Sequence, residues 1–192
     1  VADLPFLAYR KDLGENIAAV QAVMQAGAHA VKIEGAAGNT DLVRHLTESG
    51  VPVMGHIGLT PQFVHLLGGY RVQGKTEESA NRLKQEALAL EEAGAFALVM
   101  ECVPTLLAAE ITQSLRIATI GIGAGAGTDG QVLVLQDLLG LNTDFRPKFV
   151  KNFMDGAALV TGALNTYNQA VKTGAFPDAE HSFNPERVAK PA

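Results

Sequence analysis

Val31-Lys32-Ile33-Glu34-Gly35 is a short apolar strand that carries two opposite charges. Side chains alternate across a strand, so Lys32 and Glu34 share one face while Val31 and Ile33 share the other. A solvated ion pair at the end of a strand would give the same pattern. A charged pair on a strand that leads directly into glycine also suits the mouth of a functional site.

The unit around this strand occurs twice in the chain. The stretch Ala26-Gly27-Ala28-His29-Ala30-Val31-Lys32-Ile33-Glu34 corresponds to Ala93-Gly94-Ala95-Phe96-Ala97-Leu98-Val99-Met100-Glu101. Each copy has a helix end, a glycine, a strand and a carboxylate, which predicts an α/β fold of alternating elements. Glu34 and Glu101 are then expected at equivalent carboxyl ends of parallel strands, where such folds place catalytic groups.

The rest of the chain extends this alternation. Strands are predicted to end at Asp3, Glu34, His56, Glu101 and near Gly123, with a possible sixth strand over 147–153 and a short helix over 131–139. Longer helices are predicted to begin near Asp12, Thr40, Thr76, Pro104 and Asp155. We interpret these alternating elements as the later part of a (β/α)8 barrel whose N-terminal strands are missing from this chain. An open doubly wound sheet is the alternative. Residues 1–175 are assigned to the barrel and 176–192 to a tail.

Composition narrows the function classes. The 192 residues are 47% hydrophobic, which is enough apolar material for a hydrophobic core. The net charge is −5 and there is no basic stripe, so nucleic acid is not expected as a partner. No apolar run approaches the length of a membrane span. The single cysteine, Cys102, excludes an intramolecular disulfide and fits a reducing compartment. We interpret Cys102 as a packed thiol rather than a nucleophile.

Two glycine-containing segments invite a functional interpretation. The connection 57–75 is long for an α/β fold and contains Thr60-Pro61, a pattern typical of a helix start. Gly121, Gly123 and Ala126 fit the spacing of a dinucleotide-binding motif. We reject that interpretation because no strand-end acid follows about 20 residues later. The glycines are expected to let the backbone approach a ligand or a neighbouring loop.

Several of these stretches together resemble the ketopantoate hydroxymethyltransferase family. The resemblance is carried by Asp3-Leu4-Pro5-Phe6, Val31-Lys32-Ile33-Glu34-Gly35, Gly55-His56-Ile57-Gly58-Leu59-Thr60-Pro61-Gln62, Gly68-Gly69-Tyr70-Arg71-Val72-Gln73-Gly74, Glu101-Cys102-Val103-Pro104, Gly121-Ile122-Gly123-Ala124-Gly125, Thr128-Asp129-Gly130-Gln131 and His181-Ser182-Phe183. It implies a barrel that transfers a one-carbon unit from 5,10-methylenetetrahydrofolate to 3-methyl-2-oxobutanoate, which gives 2-dehydropantoate for coenzyme A synthesis. It also implies Mg²⁺ dependence, a cytoplasmic location and a homo-oligomer, typically a decamer.

The resemblance also implies roles for particular residues. Asp3 and Glu34 match metal-binding positions, Asp3 and Lys32 match contacts to the keto acid, and Glu101 matches the proton acceptor. His56 is expected either to contact the substrate, to hold Glu101 in place or to be structural. The family's first two strands, with a Gly-Asp-Ser turn that supplies a further metal ligand and a substrate contact, have no counterpart here.

Elementary chemistry agrees with these roles. Removing a proton beside a ketone needs a base, a sink for the resulting charge and a handle for the carboxylate, which Glu101, Mg²⁺ and Lys32 would supply. Lys32 could instead form a Schiff base in a metal-free aldolase, although the nearby Glu34 would stabilise its ammonium form. A truncated, non-catalytic barrel subunit is the remaining alternative.

Overall fold

The computed structural model describes residues 1–183, which form two compact units that divide after Leu133. The first unit contains β1 (Ala2–Asp3), α1 (Leu13–Gln25), β2 (Val31–Glu34), α2 (Thr40–Glu48), β3 (Val53–Gly58), a 3₁₀ turn η1 (Pro61–Phe63), α3 (Glu77–Glu92), β4 (Ala97–Glu101), α4 (Thr105–Ser114), β5 (Ala118–Ile122) and β6 (Gly130–Gln131). The second contains α5 (Leu135–Leu138) and α6 (Gly156–Thr173). Among the described residues, no helix is long and apolar enough to cross a membrane.

The strands form one parallel sheet in the order β1-β2-β3-β4-β5-β6. This confirms the predicted α/β class and the predicted strands that end at Asp3, Glu34 and Glu101. Within residues 1–183 the order never reverses, whereas an open doubly wound sheet reverses at its switch point. A sequential order of parallel strands joined by helices is that of a (β/α)8 barrel.

Local sequence explains where the helices begin. The Asp12 carboxylate accepts a hydrogen bond from the Glu15 N–H at 3.0 Å and caps α1. Thr76 and Ser79 form a reciprocal capping box at the start of α3. Because these caps satisfy N–H groups that have no partner inside the helix, the polar residues between the apolar segments determine the helix starts.

The register of the sheet separates a packing face from a polar face. Helix residues pack with one face of the strands in a single cluster that includes Val20, Val31, Ile33, Leu46, Val53, Ile57, Leu90, Leu98 and Met100. Lys32 pairs with Met54, and Glu34 pairs with His56. Gly58 pairs with Glu101. Paired positions of adjacent strands share a face, so Lys32, Glu34, His56 and Glu101 lie together opposite the core.

The glycine tract after β5 packs against α4. A side chain at Gly125 would collide with Thr105, and a Cβ at Gly127 would lie 2.7 Å from the Ala109 Cβ. The tract therefore satisfies the expectation of close backbone approach, with a helix rather than a loop as the neighbour.

The expected strand over 147–153 is wrong, because the structure has a turn there in which the Val150 N–H donates to the Pro147 carbonyl. The sixth strand is β6, which pairs with β5. The Asp129 carboxylate holds it in place by accepting hydrogen bonds from the Thr119 N–H at 2.8 Å and O–H at 3.0 Å. The helix predicted over 131–139 is correspondingly shorter and spans only Leu135–Leu138.

In the second unit, α6 confirms the predicted helix over 155–173. Asp155 caps its start, and Gly174 ends it in the left-handed conformation at φ 72°. The apolar stripe that predicted this helix is largely exposed, with Leu164 at 62% and Tyr167 at 58%. Of the predicted tail 176–192, residues 176–183 contain no helix or strand, and 184–192 lie outside the described residues. The boundary at residue 175 stays a prediction.

We predict that Gly127→Ala lowers the free energy of unfolding by about 1–3 kcal/mol, since the new methyl group must displace α4. Urea denaturation measures this. Gly162→Ala is the control, because its site on α6 is open and alanine favours a helix by about 0.5–1 kcal/mol. If the changes in unfolding free energy caused by Gly127→Ala and Ala109→Gly add in the double variant, the new methyl group does not contact the Ala109 methyl group, and the prediction is wrong.

Candidate active site

The five residues predicted for the site come together at the carboxyl ends of β1 to β4. Asp3, Glu34 and Glu101 are the last residues of their strands, and Lys32 and His56 lie two residues before the ends of β2 and β3. Consecutive contacts link all five side chains, although their individual roles remain predictions.

Lys32 lies at the centre of these contacts. Its ammonium nitrogen is 2.9 Å from the Asp3 carboxylate and 3.1 Å from His56 Nδ1. The Lys32 side chain is 16% exposed, while that of Asp3 is 65% exposed. Lys32 therefore presents its charge at the boundary between the polar strand face and solvent.

The contact with Lys32 assigns the tautomer of His56. An ammonium group can only donate, so His56 Nδ1 accepts and its proton is on Nε2. Nε2 lies 3.3 Å from Glu101 Oε2 in a geometry that is not aligned as a hydrogen bond, and it has no other partner in the described residues. His56 is 3% exposed, so Glu101 is the acceptor toward which this buried N–H can donate.

Glu34 is the most buried carboxylate of the site, at 5% exposure. Its Oε1 lies 3.9 Å from His56 Nδ1, and its Oε2 accepts a hydrogen bond from the Gln62 N–H at 3.0 Å. Burial raises the pKa of the Glu34 carboxyl, and the Gln62 N–H, His56 and Lys32 oppose that rise. These partners compensate part of the cost of burying a charge.

Two further side chains support the site through Gln62 and the turn after β2. Tyr9, which is 2% exposed, donates its O–H to Gln62 Oε1 at 2.9 Å. Burial raises the pKa of the Tyr9 hydroxyl, with the charge of Glu34 adding to the rise, so Tyr9 keeps the proton that it donates. Asn39 Nδ2 donates to the carbonyls of Glu34 and Gly35, each at 2.9 Å.

Sequence reasoning did not assign a role to Tyr9, Gln62 or Asn39. Asn39 precedes a helix, where its residue type predicts an N-cap, but its side chain caps no N–H there. For Tyr9, the one signal available was the position of a polar hydroxyl within an apolar segment. Gln62 had no signal apart from its position in a segment that resembles a family.

The donor set fits Mg²⁺ only in part. Within residues 1–183, no three His, Cys, Asp or Glu side chains are placed to hold a metal ion by themselves. Mg²⁺ is commonly held by one or two carboxylates, with water and substrate oxygens completing its coordination. Asp3 and Glu34 offer two carboxylates from adjacent strands, which suits that mode rather than an all-protein cage.

Cys102 follows Glu101 and has an unusual backbone conformation, with φ at +49°. Its N–H donates to the Ile122 carbonyl, and its carbonyl accepts from the Gln73 N–H, each at 2.9 Å. These two bonds hold a non-glycine residue in the sparsely populated left-handed region. They therefore fix the direction in which the chain leaves Glu101.

Comparison with known proteins relates these features to one family. The family model for ketopantoate hydroxymethyltransferase matches residues 1–179. The 3-methyl-2-oxobutanoate hydroxymethyltransferase of Bdellovibrio bacteriovorus is 60% identical, and that of Francisella tularensis strain SCHU S4 is 56% identical. Each alignment covers 96% of this chain and 70% of the relative. The Coxiella burnetii enzyme of the same name is 53% identical over 94% of this chain and 68% of its own length.

Solved structures give weaker likenesses. A putative lyase/mutase from Burkholderia cenocepacia aligns with 97% of this chain and 66% of its own length, at a TM-score of 0.45 and 15% identity. A putative phosphonomutase from the same organism covers 90% of this chain and 68% of its own length, at 0.49 and 14% identity.

We predict that Cys102 is unreactive in the folded protein. Burial, with a smaller contribution from the Glu101 charge, raises the pKa of the Cys102 thiol to about 11. At pH 8 the thiolate fraction is then roughly 100-fold below that of an ordinary cysteine, so modification by a disulfide reagent should slow at least that much. The same reaction in urea is the control. Equal rates in the folded and unfolded protein would contradict the prediction.

Proposed function

We propose a transferase function from one premise: this chain belongs to the ketopantoate hydroxymethyltransferase family. The chain would transfer a hydroxymethyl group from 5,10-methylenetetrahydrofolate to 3-methyl-2-oxobutanoate and form 2-dehydropantoate for pantothenate synthesis. The observation that carries the proposal is the family match over residues 1–179 together with the clustering of five polar side chains at the strand ends.

The reaction requires a carbon nucleophile at C3 of the keto acid. Mg²⁺, held by Asp3 and Glu34, would polarise the ketone oxygen and make the neighbouring C–H more acidic. The protein must supply the base and a group that binds the carboxylate. It must also hold the substrate so that C3 faces the base. The carbanion at C3 would then form the new carbon–carbon bond with the methylene carbon of the donor. Both carbon–nitrogen bonds of that carbon break, water supplies the oxygen of the new hydroxyl group, and tetrahydrofolate is released.

Glu101 is proposed as the base. Its side chain is 15% exposed at the end of β4, so it reaches the substrate side of the sheet while remaining shielded from bulk water. Nε2–H of His56 lies 3.3 Å from one carboxylate oxygen and can hold that oxygen. The other oxygen remains available to accept the proton from C3.

Lys32 and Asp3 are proposed to bind the keto acid, with His56 as a further contact. Lys32 already contacts Asp3 at 2.9 Å and His56 at 3.1 Å, and its third ammonium hydrogen can donate to a second carboxylate. Lys32 would then compensate the negative charge of the substrate, which could bind beside Asp3 despite the negative charge of that carboxylate.

Other features of the enzyme are proposed from the family resemblance. These are the cytoplasmic location, a decameric homo-oligomer and the small-molecule nature of the partners. The assignment of residues 1–175 to one catalytic domain belongs with them.

The Schiff-base alternative is disfavoured by the environment of Lys32. A nucleophilic lysine needs a free amine, which apolar surroundings favour. Lys32 instead contacts the Asp3 carboxylate, which stabilises the ammonium form. A non-catalytic subunit would have no reason to bring a base and a carboxylate-binding cation to one strand face.

We predict that Glu101→Gln slows exchange of the C3 proton of the keto acid by about 10²–10⁴-fold, because the amide keeps the size of the side chain but cannot accept the proton. Proton exchange into deuterated water, followed by NMR without the folate, measures this step alone. Glu110→Gln is the control, because Glu110 pairs with Lys84 on the surface. Mg²⁺ affinity should stay nearly unchanged, and normal exchange in Glu101→Gln would assign the base elsewhere.

We predict that Lys32→Arg raises the KM for the keto acid while part of kcat survives, because arginine keeps the positive charge but displaces it. Lys84→Arg is the matched control, since its charge faces Glu110 at 2.6 Å. A Schiff-base enzyme would lose all turnover in this variant, and borohydride with substrate would inactivate the parent protein. Either result would support the alternative mechanism.

A further inference from the structure

Three polar groups of Gln62 make hydrogen bonds around the site. Its backbone N–H donates to Glu34 Oε2 at 3.0 Å. Its side-chain Nε2 donates to the Leu4 carbonyl at 2.8 Å, and its Oε1 accepts from the Tyr9 O–H at 2.9 Å. The residue therefore joins three segments that are distant in sequence.

One of these contacts is made to a proposed metal ligand, and a second is made to the neighbour of the other ligand. Glu34 is one ligand, and Leu4 directly follows the other, Asp3. We propose that Gln62 is a positioning residue that sets the separation of the Asp3 and Glu34 carboxylates and thereby the affinity for the divalent cation. The inference rests on the proposed function and extends it to a residue that touches neither the metal nor the substrate.

The direction of each hydrogen bond fixes the Gln62 amide in one orientation. The Leu4 carbonyl can only accept, so the amide nitrogen must face it. The oxygen then faces Tyr9, whose retained proton completes the arrangement. A partly buried amide with both ends paired resists rotation, because a flip would leave polar groups without partners.

The segment that carries Gln62 is itself anchored on both sides. The Leu59 N–H donates to the Glu101 carbonyl at 2.8 Å, so the segment leaves β3 tied to β4. Pro61 opens η1 with a restricted φ, and the Phe63 N–H closes the turn on the Thr60 carbonyl at 2.8 Å. Gln62 therefore extends toward the segment after β1 from a turn that is tied to β4, the strand that carries the proposed catalytic base.

The choice of variant separates the side chain of Gln62 from its backbone. Gln62→Ala removes the bonds to Leu4 and Tyr9 but keeps the N–H that faces Glu34. Tyr9→Phe removes only the O–H that orients the amide, so it should act in the same direction with a smaller effect. Gln73→Ala is the matched control, because the Gln73 side chain donates to the nearby Arg71 carbonyl and to nothing in the site.

The experiment is a calorimetric titration of Mg²⁺ into the apo forms of the parent protein and the three variants. Gln62→Ala should weaken Mg²⁺ binding by about 10–100-fold, as the loss of groups that orient metal ligands typically does. Gln73→Ala should bind as the parent does. Raising Mg²⁺ to saturation should restore most of the C3 proton exchange of Gln62→Ala, since the residue positions ligands and takes no part in the chemistry.

The outcomes distinguish the inference from the function on which it rests. If the parent binds Mg²⁺ and exchanges the C3 proton but a folded Gln62→Ala protein binds equally well, the positioning role is wrong. A lower melting temperature with unchanged Mg²⁺ affinity would also overturn it, since that result describes a purely structural contact. If the parent neither binds Mg²⁺ nor exchanges the proton, the proposed function fails first, and the inference fails with it.

Discussion

The site depends on one contact, the donation from the Lys32 ammonium to His56 Nδ1 at 3.1 Å. Because Lys32 can only donate, it removes the choice of tautomer and leaves the His56 proton on Nε2. That N–H faces Glu101, and the other side of Lys32 faces Asp3. A single cation thus contacts a carboxylate on the first strand and sets the tautomer of an imidazole whose N–H lies beside the carboxylate on the fourth.

The register of the parallel sheet makes this contact possible without weakening the core. Glu34 and His56 are paired positions, and each strand alternates its side chains between two faces. The apolar residues next to them in sequence, Ile33 and Ile57, point to the other face and are fully buried in the cluster beneath the helices. The packed core and the candidate site therefore occupy opposite faces of the same strands, and the buried Glu34 carboxylate is offset by partners near it.

Much of this arrangement could be predicted because its causes are local. Glycine stops and the period of two placed β2 and β4, and both carboxylates were expected at strand ends. The errors came from segments whose structure depends on distant partners. β6 has only two residues, and its place is set by the carboxylate of Asp129 on Thr119, whereas the apolar residues of 147–153 resemble a strand but form a turn.

The supporting residues were beyond prediction for a physical reason. Gln62 bonds to positions 28 and 58 residues away, and Tyr9 meets it across 53 residues. No periodicity records such contacts, since they join segments that are distant in sequence and meet only in the fold. Yet a cation held by two carboxylates is sensitive to the distance between them. The residues that a sequence pattern identifies thus supply the polar groups at the strand ends, while several of the hydrogen bonds that hold their segments come from residues that no pattern identifies.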